Sequence, residues 1–140
     1  MASPREDPYY QDRLYLNDGN GNFELAEGSL PDINQSGSVI RPFDFDKDGD
    51  IDLFVGGRLA PGFYPYPSTS YILENNGDNT FTTFGNEKGE VFHRNGLVTD
   101  AIWTDFDEDG WCGDIIDVEW FETDEERYKV IKENNLKIIN

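Results

Sequence analysis

The sequence predicts a mainly β, antiparallel fold made from about two copies of one unit, with a short C-terminal helix. Three observations lead to this reading. Two motifs recur in the same order at nearly the same period. Short alternating segments are bounded by Asn/Gly turns. One stretch near the end carries a helix start signal. The first recurrence sets Asn17, Gly19 and Phe23 on Asn75, Gly77 and Phe81, an offset of 58. The second sets Asp44-Phe45-Asp46-Lys47-Asp48-Gly49 on Asp105-Phe106-Asp107-Glu108-Asp109-Gly110, an offset of 61. A fixed period of this size is the signature of a repeat architecture.

The elements follow in chain order. Residues 1–11 read as a tail, 12–66 as the first repeat, 67–121 as the second and 122–140 as a helix with its tail. Arg13-Leu14-Tyr15-Leu16 alternates, and an Asn/Gly turn joins it to Asn22-Phe23-Glu24-Leu25, which is a hairpin signal. Ser38-Val39-Ile40-Arg41-Pro42-Phe43 leads into the first acidic loop, and Ile51-Asp52-Leu53-Phe54-Val55-Gly56-Gly57 leaves it as a buried strand. The stretch Arg58 to Pro67 is too rich in proline for a central strand. Tyr71-Ile72-Leu73-Glu74 and Thr80-Phe81-Thr82 repeat the hairpin, and strands over 97–103 and 114–120 flank the second acidic loop. Thr123-Asp124-Glu125-Glu126 fits a capping box, Glu125 and Lys129 form an i,i+4 pair, and a helix is expected over 124–134.

Composition narrows the function. The chain has 140 residues, within the size of one domain, and a net charge of −18. Aromatics at 14% set it apart from a solvated acidic tail, which is poor in them. Without a basic stripe there is no match to a phosphate backbone, so no nucleic acid partner is expected. No apolar run approaches the roughly 20 residues that span a bilayer, so no membrane insertion is expected. Met1 to Pro8 has no apolar core of a signal peptide. The single cysteine, Cys112, excludes an internal disulfide, and with one histidine, His93, a Cys-ligated zinc site is not expected either. Carboxylates in such excess point to a divalent cation.

The acidic loops are the natural place for it. Asp44, Asp46, Asp48 and Asp52 stand at loop positions 1, 3, 5 and 9, Gly49 at 6, and Asp50 at 7 would offer its backbone carbonyl. Ca²⁺ takes six to eight oxygens, and alternate short carboxylates on a tight turn converge on one point. An EF-hand would need a Glu at position 12 and flanking helices, but position 12 is Val55 within an apolar strand. The second loop offers Asp105, Asp107 and Asp109, with the Trp111 carbonyl at position 7. Gly113 stands at position 9. A one-residue bulge brings Asp114 back to that place; without one the site is short of a ligand, so this loop is expected to bind calcium more weakly. Trp103, Trp111 and Trp120 are expected in the sheet core, whereas Tyr64 and Tyr66 sit in a proline-stiffened loop open to a ligand. No nucleophile motif accompanies His93, and no carboxylate pair is singled out by spacing, so no catalytic residue is named.

These residues resemble the FG-GAP/VCBS-type repeats of integrin-like β-propellers, in particular those of ASPIC/UnbV-type bacterial proteins. The resemblance rests on Tyr15-Leu16-Asn17-Asp18-Gly19, on Asp44 to Asp52 with Leu53-Phe54-Val55-Gly56-Gly57-Arg58, and on Pro61-Gly62-Phe63-Tyr64-Pro65. It continues through Ser70 to Asn75 and Gly96 to Asp105, and covers roughly 12–121. It implies propeller-like blades, calcium held in the Asp loops, and an extracytoplasmic or secreted module that acts in adhesion or protein or glycan binding without catalysis. Asp117 interrupts the apolar strand of the family pattern, and the stretch from Thr123 onward does not resemble a further blade. Two repeats are fewer than the roughly four to eight blades that close a propeller. The expected partners are therefore further blades of a longer protein or other copies of this chain. A carbohydrate-active hydrolase or lyase fragment, or a purely structural self-assembling piece, are the alternatives.

Overall fold

A computed structural model describes residues 8–66, 68–85, 96–105, 110, 112 and 114–118. A 3-10 turn at Pro8–Tyr10 precedes eight strands: β1 (Tyr15–Asn17), β2 (Phe23–Leu25), β3 (Ser36–Phe43), β4 (Asp52–Leu59), β5 (Tyr71–Asn75), β6 (Phe81–Thr83), β7 (Asp100–Thr104) and β8 (Asp114–Val118). All pairings between them are antiparallel, and no α-helix occurs among the described residues. The helix expected over 124–134 lies outside the described residues, as do His93, Trp111 and Trp120.

The strands form a β1-β2 hairpin, a four-stranded meander in the order β3-β4-β5-β6, and a β7-β8 hairpin. The meander draws β3 and β4 from the first sequence copy and β5 and β6 from the second. Repeat and sheet are offset because β4 pairs forward with β5, through Leu53↔Leu73, Phe54↔Ile72 and Val55↔Tyr71. β4 is the buried strand the sequence predicts, with every residue from Phe54 to Gly57 buried, as befits a central strand.

The core is small. Phe54, Ile72, Val98 and Ala101 are buried together, with Val39, Phe45 and Trp103 packed against them. Gly56 makes this approach possible: a Cβ there would stand 2.8 Å from Val98 Cγ1 and 2.9 Å from Val39 Cγ1. At Gly57 a Cβ would meet the Thr69 carbonyl oxygen at 2.4 Å, so only glycine fits. The β7-β8 hairpin leans on β3. Arg41 Nε donates to Ala101 O at 2.7 Å, its guanidinium pairs with Asp100, and Trp103 Nε1 donates to Arg41 O at 3.0 Å. The Trp103 ring stacks on Phe43 with centroids 5.6 Å apart, which bears out its reading as core.

Candidate metal centre

The first acidic loop joins β3 to β4. Its tight path needs two residues at positive φ, Lys47 at 69° and Gly49 at 98°. The carboxylates organise the turn through the backbone. Asp44 Oδ2 accepts from Gly49 N at 3.1 Å, Asp46 Oδ1 from Asp48 N at 3.2 Å, and Asp48 Oδ1 from Asp50 N at 2.8 Å. These bonds leave the other oxygens available. Asp44, Asp46 and Asp48 each bring a carboxylate oxygen within 4.8 Å of the other two. Asp44 Oδ1 is buried and has no hydrogen-bond partner. A buried acceptor without a donor costs about 1–3 kcal/mol, and more when charged, unless something meets it. A hard cation taking oxygen ligands fits that need.

Asp52 is placed differently from its three neighbours. It is fully buried, and both oxygens are taken by main-chain donors: Phe45 N to Oδ2 at 3.1 Å and Asn75 N to Oδ1 at 2.8 Å. It thus ties the start of the loop to the end of β5. Burial pushes its pKa up; the bonds from Asn75 and Phe45 oppose this, and the charges of Asp46 and Asp48 add to the rise. Asp50 lies against the next turn, where a Cβ on Gly77 would come within 2.9 Å of its Oδ2.

Glu74 is the residue that sequence reasoning missed. Burial first, and then the charges of Asp46, Asp52 and Asp48, raise its pKa, and its neighbour Asn75 binds Asp52, which brings the end of β5 to the loop. The repeat alignment hid it, because Leu16 stands at the matching place in the first copy.

The second loop repeats the first where it is described. Gly110 N donates to Asp105 Oδ2 at 3.0 Å, as Gly49 N does to Asp44. Asp105 Oδ1 is likewise buried, with no hydrogen-bond partner. Asp107, Asp109 and Trp111 lie outside the described residues. The ladder decides the alignment at the loop's far end. Phe43 pairs with Asp52, and Thr104, its match at offset 61, pairs with Asp114 rather than Gly113. Asp114 therefore occupies the register position of Asp52, and the extra residue is taken up within the loop.

Elsewhere, Tyr64 and Tyr66 are 77% and 66% exposed. A cleft of about 270 Å³ lies beside the first hairpin, lined by Gln11, Leu14, Leu25 and Leu30 among others. It is smaller than the ~300–1,000 Å³ usual for small-molecule sites.

Residues 3–55 match the model of the FG-GAP-like repeat family. This stretch is similar to an FG-GAP-like repeat. It carries β1 to β3, the whole first acidic loop and the first half of β4, and it supports a β-propeller-like repeat module. No curated protein and no solved structure matches the chain.

Proposed function

We propose that the chain is a calcium-binding, non-catalytic propeller module that acts in adhesion or in protein or glycan binding outside the cytoplasm. The observation that carries the reading is the convergence of Asp44, Asp46 and Asp48 around a buried, unpartnered Asp44 oxygen. Those three residues would hold the ion, with the Asp50 carbonyl as a further donor, and Asp52 would brace the loop through Phe45 and Asn75. Calcium would neutralise the mutual repulsion of the cluster and bind the two sides of the turn together. Asp105 and Asp114 support an equivalent second centre with Asp107, Asp109 and the Trp111 carbonyl. The β3-β6 meander has the strand order of a propeller blade, and the FG-GAP-like match supports both that reading and the extracytoplasmic setting. The exposed aromatic loop with Tyr64 and Tyr66 is the contact surface we favour for a ligand.

Calcium titration by calorimetry, together with thermal melting in calcium and in chelator, tests the core of this reading. A ligand selective for the folded state at a hundredfold excess over Kd adds about 2.7 kcal/mol. The melting temperature should therefore fall by several degrees in chelator, and Asp46→Ala should reproduce much of that fall. Asp107→Ala reports on the second loop in the same way. Coincident melting curves in calcium and chelator, on protein first stripped of metal, would reject the proposal.

A further inference from the structure

The four-stranded sheet shows how a hairpin of the β1-β2 kind attaches to an acidic-loop hairpin. In it β5, the counterpart of β1 at offset 58, lies against β4, and Asn75 N reaches Asp52. Among the described residues the other two hairpins each lack that neighbour. β1 pairs only with β2, and β8 pairs only with β7. Within the described residues the β7-β8 hairpin is an acidic-loop hairpin with no counterpart of β5-β6 paired to it, and β1-β2 is a counterpart of β5-β6 with no acidic-loop hairpin paired to it.

Transferring the observed register makes the match specific. Asp114 takes the place of Asp52, so Ile115, Ile116 and Asp117 take the places of Leu53, Phe54 and Val55. On the other side, Tyr15, Leu14 and Arg13 stand where Leu73, Ile72 and Tyr71 stand. The resulting ladder is Ile115↔Tyr15, Ile116↔Leu14 and Asp117↔Arg13. The one charge that interrupts β8 falls opposite the one cation at the head of the first hairpin. The same register sets Asn17 N–H against Asp114. Burial points the same way: Leu73 is 4% exposed within its sheet, whereas its counterpart Tyr15 is 52% exposed, and Leu16 and Phe23 are exposed beside it. A row of unpaired main-chain groups flanked by apolar side chains is a template for another strand.

We propose that β1-β2 of one copy docks on β8 of a second copy, in that register, so that the chain assembles head to tail through a sheet in the order β7-β8-β1-β2. The contact is heterologous, and copies either close into a ring or extend as a filament according to the rotation between them. The inference uses strand register and charge, not the calcium reading, so each can fail without the other.

Paired cysteines read the register directly, because facing residues of an antiparallel ladder have Cα atoms roughly 4.5–5.5 Å apart, within disulfide reach. In a Cys112→Ser background, Tyr15→Cys and Ile115→Cys are made on separate chains, checked for native circular dichroism, mixed and oxidised. The expected product is a Tyr15–Ile115 hetero-disulfide dimer, identified by peptide mass. Tyr15→Cys with Ile116→Cys, one residue out of register, should not couple, since a one-residue slip turns the side chain to the other face. By sedimentation, Arg13→Asp and Asp117→Arg should each weaken self-association roughly three- to tenfold, and the charge-swapped double variant should recover it. A protein that stays monomeric at every concentration overturns the proposal in favour of another occupant of these edges. So does a disulfide that forms only within one chain carrying both cysteines, or equal coupling at Ile115 and Ile116.

Discussion

The β1-β2 and β5-β6 hairpins share a turn and little else. In both, an Asn side-chain oxygen receives the N–H two residues on: Gly19 N to Asn17 at 2.9 Å and Gly77 N to Asn75 at 3.1 Å. Both glycines have φ of +80°. In each turn an aspartate gathers local donors, Asp18 from Asn20 and Asn22, Asp78 from Thr80. Yet every residue of β1 and β2 is exposed, while β5 buries Ile72 and Leu73 and holds Asp52 through Asn75. The turn is made by bonds spanning a few residues, so it forms in either setting. Burial depends on a neighbouring strand, and only the second hairpin has one among the described residues. The same motif is thus a finished corner in one place and an open edge in the other.

Core truncation should break the likeness most sharply. Ile72→Ala removes a buried side chain beside Phe54 and should cost about 2–5 kcal/mol. Its counterpart, Leu14→Ala, should cost under about 1 kcal/mol in dilute monomer, because Leu14 is only half-buried. Denaturant melts of the two variants measure the difference; equal losses would mean that the first hairpin is as well packed as the second.

Glycine replacement sharpens the comparison at the turns. Gly19→Ala and Gly77→Ala both force a side chain to positive φ, at about 1 kcal/mol or somewhat more each. Around Gly19 the space is open, whereas at Gly77 the new methyl group meets Asp50 Oδ2. The melting shifts should therefore be similar, but only Gly77→Ala should weaken calcium binding at the first loop, as calorimetry on both variants would show.

The smallest effect is on pH dependence. Asp18 is held below the usual carboxylate range by the Asn22 side chain and then by main-chain N–H groups, and Asp78 by the Thr80 side chain and main chain. Their stabilisation is present above the ordinary value of 3.8 and is lost as pH falls through their lower folded values. Asp52, Glu74 and Asp12 are raised, chiefly by burial, so their ionised forms oppose folding, and that cost is relieved as pH falls through their folded values. In chelator, stability should rise on mild acidification from neutrality and fall again in strong acid. Asp52→Asn and Glu74→Gln should flatten the rise, and Asp18→Asn the fall, in melts taken across the pH range.

Much of the candidate site was legible because its logic is local. Alternate aspartates around Gly49 set the converging turn, and the structure draws Asp44, Asp46 and Asp48 together as the spacing implied. Asp52 was legible as part of the loop but not as the clasp between Phe45 and Asn75, since one of those bonds spans 23 residues. Glu74 was not legible, because β4–β5 pairing, not spacing in the chain, brings the end of β5 to the loop. Asp114 stayed ambiguous against Gly113 until the β7-β8 ladder counted the strand from its other end.

The sequence by itself determined the strands, the Asn/Gly turns and the acidic loops, because each rests on hydrogen bonds and steric preferences within a few residues. Only the tertiary structure decided which hairpin joins which sheet, that Val98 closes over Gly56, and that the meander straddles the junction of the two repeats. Those outcomes rest on burial and main-chain pairing between distant segments, and two copies of one motif carry the same local instructions whichever neighbour they meet.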